Sequence, residues 1–440
     1  MRLFKRWYVQ LGLFLAGFAA LVCLADFVLV PLRTQELVCS YDFTHSENAQ
    51  IVAIGNSLCI EQIDPYQLEY ATGKHALNFG ISASKAQSLV AMATEAFTVH
   101  RPEVLLVVYD PEWDIALKED TVVMAKLSPL LSTQENRMRY LLDRMECSID
   151  DLNRVFLWRM GMECSPGQIA ERVQYKLGIH QKAIYEKRLD KINRENEMYR
   201  GRGYYVVQGE HDVASLKQSS HRVRAEKEKP LDDQVAGYLK RVKALCDQND
   251  CRMVVVTTPL MRDNVLSDGR ARSSMEAMEA FGREEGIAYL NFTYAQGKSM
   301  PDLTGHYRDG YNHLDAEGLE LFNASFAQTM KAFLDGEDIS DRLMTEEEWL
   351  ASIDRVTDVW MTRKERGRQR VYTAHALCGT KVSCEYRFAL VDADGNETIL
   401  QDYAKSSEVR VEQAGRADAV KVYVRNGANP EQPALSCVYE

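Results

Sequence analysis

The stretch Ile51-Val52-Ala53-Ile54-Gly55-Asn56-Ser57 decides how this chain folds. Four consecutive apolar residues, three of them β-branched, form a run without polar alternation. Such a run suits a strand covered on both faces, as in a parallel sheet layered between helices. Gly-Asn-Ser then ends it with turn residues, which are ordinary loop formers in their own right. Comparable apolar runs follow at 104–109, introduced by Arg101-Pro102, and at 253–257 and 287–290, with a shorter candidate at 75–79. Helix-spaced segments separate them. One covers 63–71, with Asp64-Pro65 as its cap and first turn; another covers 84–99, capped by Ser82 or Ser84. Further helices are expected over 232–247, 273–285 and 314–334. Strands alternating with helices predict an α/β protein with a doubly wound parallel sheet, an α/β/α sandwich. Ligands of such sheets bind beyond the carboxyl ends of the strands. Ser57 stands at such an end.

A second motif, Asp309-Gly310-Tyr311-Asn312-His313-Leu314, lies roughly 250 residues later, just before the last helix of this region. A serine, a histidine and an aspartate are the parts of nucleophilic acyl chemistry: nucleophile, general base and the group that orients the base. The candidate set is Ser57, His313 and Asp309, with Asp309 four residues before His313, a spacing that puts both on one side of a helical turn. Backbone N–H groups of Ser57 and Gly80 are candidate oxyanion donors, with the side chains of Asn56 and Asn78 beside them. His306 is an alternative base and Cys59 an alternative nucleophile. Asp309 also has the character of a helix cap, and Asn78-Phe79-Gly80 that of a tight turn. No cysteine or histidine spacing here makes a zinc site, and no cofactor is expected.

The whole chain narrows the setting. It has 440 residues, 46% of them hydrophobic, enough for more than one domain and a full core. A formal net charge of -11 argues against a nucleic-acid partner, which requires a basic face. Arg2, Lys5 and Arg6 precede an apolar run from Trp7 to Ala25 that resumes at 27–30. That length suits a single membrane span, and the leading positive charges predict a cytoplasmic N-terminus with the rest of the chain outside. A cleaved signal peptide is the rival reading, but Leu24-Ala25 is a poor cleavage site. Ten cysteines suit an oxidising exterior, with 246/251, 378/384 and 147/164 as candidate pairs.

These features divide the chain into an anchor over 1–32 and an α/β domain over 33–334. A polar spacer (33–49) opens that domain, and a charged helical insertion, read as a lid, interrupts it at about 115–235. No strong strand is expected in the insertion, and 182–200 reads as a solvated helix. A charged connector spans 335–370. From 371 to 440 the pattern alternates with a period of two, around an Asp394-Gly395 hairpin turn, and predicts a small C-terminal β-sandwich.

The order of these motifs resembles the SGNH, or GDSL-like, hydrolase superfamily. The resemblance covers about residues 50–334 without the insertion. Gly55-Asn56-Ser57 matches the first block, with Asn where Asp is usual; Asn78-Phe79-Gly80 matches the second, and Asp309 through Leu314 the last. Two departures stand out. The third block, Gly-x-Asn-Asp, is replaced by Asp110-Pro111-Glu112-Trp113-Asp114, and the acid stands four rather than three residues before the histidine. The anchor and the insertion resemble the membrane-anchored branch that includes the D-alanine transfer protein of lipoteichoic acid synthesis and the alginate O-acetylation proteins. What the resemblance implies is an extracytoplasmic serine esterase or O-acyltransferase acting on a cell-envelope polysaccharide or teichoic-acid-like polymer. A multi-pass membrane O-acyltransferase would be its partner. The alternative is a catalytically inactive SGNH fold that binds glycan or a partner protein.

Overall fold

The structure, a computed structural model, describes residues 2–114, 121–145, 165–194, 197–207, 230–367, 369–412 and 419–439. At its centre five strands lie in the order β2-β1-β3-β6-β7: β1 (Ile51–Ile54), β2 (Ala76–Asn78), β3 (Val104–Val108), β6 (Arg252–Thr257) and β7 (Ala288–Asn291). Every pairing is parallel. The chain runs outward from β1 to β2, then returns to the other side of β1 with β3. The sheet is therefore doubly wound, with its switch point between β1 and β3.

Alternate residues of the apolar runs supply two cores. Val52, Ile54, Leu105, Val107 and Val255 face α5 (Ala86–Val99), α10 (Asp233–Gln248) and α12 (Gly269–Glu285), meeting Leu89, Met92, Leu239 and Met278. Ile51, Ala53, Leu106, Val254 and Val256 face the other way, toward α3 (Ser57–Gln62), α4 (Pro65–Thr72) and α13 (Ala316–Leu334), meeting Leu58, Leu68, Phe322 and Phe326. Each fully buried large side chain contributes about 2–3 kcal/mol. This two-sided demand is why the strands carry no polar alternation. Asp64 caps α4 as expected, but Lys85, not Ser82 or Ser84, stands at the cap of α5 and makes no side-chain bond there. Ser84 instead donates its hydroxyl to Gly55 O at 2.9 Å, tying that loop to the end of β1.

Several expectations are corrected. The supposed polar spacer holds a helix, α2 (Thr34–His45), which buries Leu37, Val38, Cys39 and Phe43. Within the insertion, α6 (Thr121–Leu127), α7 (Gln134–Met145), α8 (Pro166–Lys176) and α9 (Gln181–Arg194) are helical, but α9 stops at Arg194. A hairpin follows, β4 (Glu197–Gly201) paired with β5 (Tyr204–Val207), where only a solvated helix was expected. At its turn Gly203 has φ +82, and a Cβ there would stand 1.8 Å from Asn78 O. Only glycine lets this turn approach the end of β2.

The charged connector is also structured. Helix α14 (Glu346–Ser352), preceded by α11 (Arg262–Ser267) earlier in the chain, buries Trp349 among Leu260, Val265, Met275 and Tyr294. Strand β8 (Val356–Arg366) begins well before 371. It pairs with β9 (Gln369–Cys378), and β12 (Glu408–Glu412) completes an antiparallel three-stranded sheet. A second antiparallel sheet holds β10 (Cys384–Val391), β11 (Glu397–Ala404), β13 (Ala419–Asn426) and β14 (Leu435–Tyr439). Val359, Met361, Tyr372, Phe388, Val422 and Val424 form their common core.

At the N-terminus α1 (Arg2–Leu29) contains one span, Trp7–Leu29, long and apolar enough to cross a membrane. The described cysteines are free thiols, including Cys246 and Cys251; Cys378 and Cys384 hold their sulfurs 3.6 Å apart. Cys147 and Cys164 lie outside the described residues.

Candidate active site

The chain leaves β1 at Gly55 and enters α3 at Ser57. Asn56 is the cap between them: its Oδ1 accepts the N–H of Leu58 at 3.0 Å. That cap fixes the serine as the first residue of the helix, where a backbone N–H has no intrahelical partner. Ser57 is thereby held at the carboxyl edge of the sheet, half-buried.

His313 and Asp309 reach it from a tight loop, not from the helical turn that the spacing suggested. Arg308 N–H donates to His313 O at 2.8 Å, and Tyr307 and Leu314 form an antiparallel bridge. Both bridge residues are buried in the sheet's core. Asn312 adopts φ +69 at the bend, a conformation asparagine tolerates better than most residues. Asp309 and His313 thus face each other across the loop. Asp315, not Asp309, caps α13, accepting from Gly318 N–H at 2.7 Å.

The three side chains form one row. His313 Nε2 lies 2.9 Å from Ser57 Oγ, and His313 Nδ1 lies 2.8 Å from Asp309 Oδ2. Asp309 Oδ1 also accepts from Tyr311 N–H at 2.9 Å. Burial by itself would raise the Asp309 carboxyl, but the His313 bond and charge, the Tyr311 amide and Arg308 outweigh it and hold it below the usual carboxylate range. An ionised Asp309 only accepts, so His313 Nδ1 carries the proton. Nε2 is then the lone-pair nitrogen, and Ser57 O–H donates to it. For His313, burial opposes the charged form, yet the bond to Asp309 and the charge of Glu61 raise the imidazolium pKa above its ordinary value.

Glu61 is a site residue that the sequence reading missed. It stands one turn beyond Ser57 on α3 and accepts from Arg308 Nη2 at 2.6 Å. Its neighbour Gln62 donates to Asn312 O at 2.5 Å, while Asn312 Oδ1 accepts from Met261 N–H at 2.9 Å. The nucleophile helix and the histidine loop are therefore stitched together directly. The available signal was Glu61 at i+4 from Ser57, on the same helical face.

The other candidates have different surroundings. Asn78 is buried, and its amide donates to Cys59 O (2.6 Å) and Ile63 O (3.0 Å). Its Oδ1 accepts Gly80 N–H at 3.0 Å. Both hydrogens of the Asn78 amide and the Gly80 N–H are thus committed inside the fold, not presented as oxyanion donors. Gly80 packs so closely that a Cβ would meet Ile60 Cγ1 at 2.7 Å. Asn56 gives one amide hydrogen to Asp110 Oδ2 at 2.7 Å, bridging the ends of β1 and β3 across the switch point; an amide has a second hydrogen to give. Burial raises the Asp110 carboxyl pKa, against the pull of the Glu112 N–H, Asn56 and His313. Asp114 is structural: it accepts from Asp232 N–H at 2.7 Å and Ser274 Oγ–H at 2.9 Å. His306 lies 3.6 Å from Asp315, paired away from Ser57. Cys59 is buried, its thiol raised well above the usual range by desolvation, with Sγ donating to Asn78 Oδ1 at 3.2 Å. A thiol so placed is inert. Among the described residues no cluster of His, Cys, Asp or Glu is arranged to hold a metal ion.

Fold and side chains together define a doubly wound parallel sheet carrying a serine–histidine–aspartate row at its carboxyl edge. No family model matches this chain, and no curated protein matches it. Among solved structures it is similar to a Bacteroides fragilis protein described as a candidate acylhydrolase, at 10% identity and a TM-score of 0.31, over 67% of this chain and 95% of that one. A likeness of that size transfers no function.

Proposed function

We propose that this chain is a membrane-anchored, extracytoplasmic SGNH-type serine esterase or O-acyltransferase acting on acyl or acetyl esters of a cell-envelope polymer. The observation that carries the reading is the continuous row Ser57–His313–Asp309, with the tautomer of the histidine set by an ionised carboxylate. In the proposed mechanism His313 Nε2 takes the Ser57 proton as the oxygen attacks an ester carbonyl. Asp309 orients the ring and stabilises the imidazolium that forms. The Ser57 N–H and the second hydrogen of the Asn56 amide are the donors at hand for the oxyanion. His313 then returns its proton to the leaving alkoxide, which departs as the alcohol and leaves an acyl-Ser57. Water resolves that intermediate in an esterase, a sugar or polyol hydroxyl in a transferase. The anchor and the insertion, which resemble those of the membrane-anchored branch, favour a polymer substrate and a multi-pass acyltransferase as donor.

A second reading, an inactive fold that binds glycan or a partner protein, is favoured by the missing third-block asparagine, where the chain reads Asp110-Pro111-Glu112-Trp113-Asp114, and by the committed Gly80 N–H. A fluorophosphonate probe separates the two. The full chain is labelled in detergent and the adduct located by mass spectrometry. An adduct on Ser57 that depends on His313 supports the first reading; folded protein without an adduct supports the second.

A further inference from the structure

The end of the apolar helix α1 is held, not free. Arg172 of α8 donates through Nη1 to Leu29 O (2.5 Å) and Val28 O (3.2 Å). One turn later Lys176 Nζ donates to Phe27 O at 2.7 Å, with Asp26 O and Val30 O at 3.4 Å. The last carbonyls of a helix lack intrahelical partners and carry its negative end, so the Arg172 and Lys176 donors are favourable there, while burial, with Arg137 and Arg172 nearby, brings the Lys176 pKa down to about 7.

These contacts also give α8 a direction. Gln168, near its start, lines a small cavity with Pro31 and Leu32, beyond the end of α1. Arg172 stands at 28–29 and Lys176 at 26–27. Helix α8 therefore runs back along α1 toward the apolar span. Its continuation, Leu177-Gly178-Ile179-His180, lies lowest, and Gly178 and His180 both take positive φ to turn the chain into α9. Leu177 is 59% exposed and Ile179 44% exposed on this tip. Helices α8 and α9, 166–194, carry seven basic side chains and three acidic ones, Glu171 pairing with Lys187 and Arg188, in a protein whose net charge is -11. Lys182, Lys187 and Lys191 are exposed on the helix that climbs away.

We propose that the α8–α9 tip is a membrane contact. On the reading of α1 as a span, Leu177 and Ile179 enter the headgroup layer of the leaflet from which α1 emerges, and the lysines of α9 lie over anionic lipid headgroups. Apolar side chains gain by leaving water at that depth, and basic residues are drawn to an anionic surface. The position of the tip beside the span and the reversal of charge against the rest of the chain select a lipid surface as its partner.

The test uses the full chain in bilayers of phosphatidylcholine and phosphatidylglycerol. Leu177→Trp and Ile179→Trp are made separately, and the added emission is taken against the parent chain. Tyr70→Trp, on the exposed face of α4, supplies the reference for a water-facing probe. The expected result is at least a two-fold loss of the added tip emission when the acyl chains are brominated near the headgroup, little quenching by acrylamide, and neither behaviour at position 70. Tip emission quenched by acrylamide and indifferent to brominated lipid would overturn the contact. For the charge, Lys182→Glu with Lys191→Glu is expected to diminish the bromolipid quenching in phosphatidylglycerol bilayers. Quenching equal with and without phosphatidylglycerol overturns the anionic preference.

Discussion

Two polar clusters flank the end of β1, and they spend their hydrogen bonds in opposite ways. The Asn78 side chain, the Gly80 N–H and the Cys59 thiol turn their bonds inward, onto Cys59 O, Ile63 O and the Asn78 side chain itself. Ser57, His313 and Asp309 bond in series, and all three are half-buried. The first arrangement holds backbone; the second sets a base, His313 Nε2, against the Ser57 hydroxyl, with Asp309 holding the ring. Position beside a candidate nucleophile is thus a poor guide to role, and the direction of a residue's bonds is a better one.

The comparison breaks most easily at the row. Ser57→Ala should abolish labelling by the fluorophosphonate probe, and His313→Ala should slow it by about 10⁶-fold, with little change in the denaturation midpoint. If the two substitutions leave labelling intact, the row has no chemical meaning.

Next in size is Asp309→Asn, expected to slow labelling by roughly 10²–10⁴-fold, since the neutral amide no longer fixes the tautomer. It also carries the pH test. The reactive form needs neutral His313, whose conjugate acid is stabilised by Asp309 and Glu61. Labelling in the parent should therefore fall as pH drops through a value above that of an ordinary imidazole. Removing the Asp309 anion lowers that pKa, so the acid limb moves to lower pH. A limb that stays in place would mean that Asp309 does not act on His313.

Asn78→Leu probes the inward cluster. It leaves the Gly80 N–H and Ile63 O without partners and Cys59 O with the Ile63 N–H alone, and should cost about 2–4 kcal/mol in denaturant unfolding. Labelling per folded molecule should change far less than in the row. Asn56→Ala removes the α3 cap and the Asp110 contact, for about 1–2 kcal/mol. Smallest is Tyr311→Ala: this side chain is 68% exposed, and stability should stay within about 0.5 kcal/mol.

How far sequence reached can be judged element by element. The parallel strands were legible because burial on both faces leaves no polar residue in them; the 104–109 and 253–257 runs became β3 and β6 within a residue or so. Helix α2 was not, because Thr34, Gln35, Glu36 and Asp42 dilute an apolar face that only the packed molecule reveals. Strand β8 was hidden by the run Arg363 to Arg366. It is an edge strand, and charged side chains there guard an open ladder. At the site, Ser57, His313 and Asp309 were named from motif order and brought together by the fold. Their loop geometry depends on Asn312 at positive φ, and Glu61 with Arg308 on a contact across about 250 residues; neither is local enough to read in advance.

Ile60, three residues after Ser57, shares one apolar cluster with Leu32 and Leu37 just past α1 and with Tyr175 and Ile184 of the α8–α9 pair. A serine on a slack tether would sweep a volume and meet ester groups at any height above the bilayer. Here the helix that carries Ser57 packs through one apolar cluster against the chain that leaves α1. On the proposed reading of α1 as a membrane span and of the substrate as an ester on a polymer, selection by distance would come before selection by chemistry: an ester carried too close to the lipid, or too far out along its polymer, would not be reached.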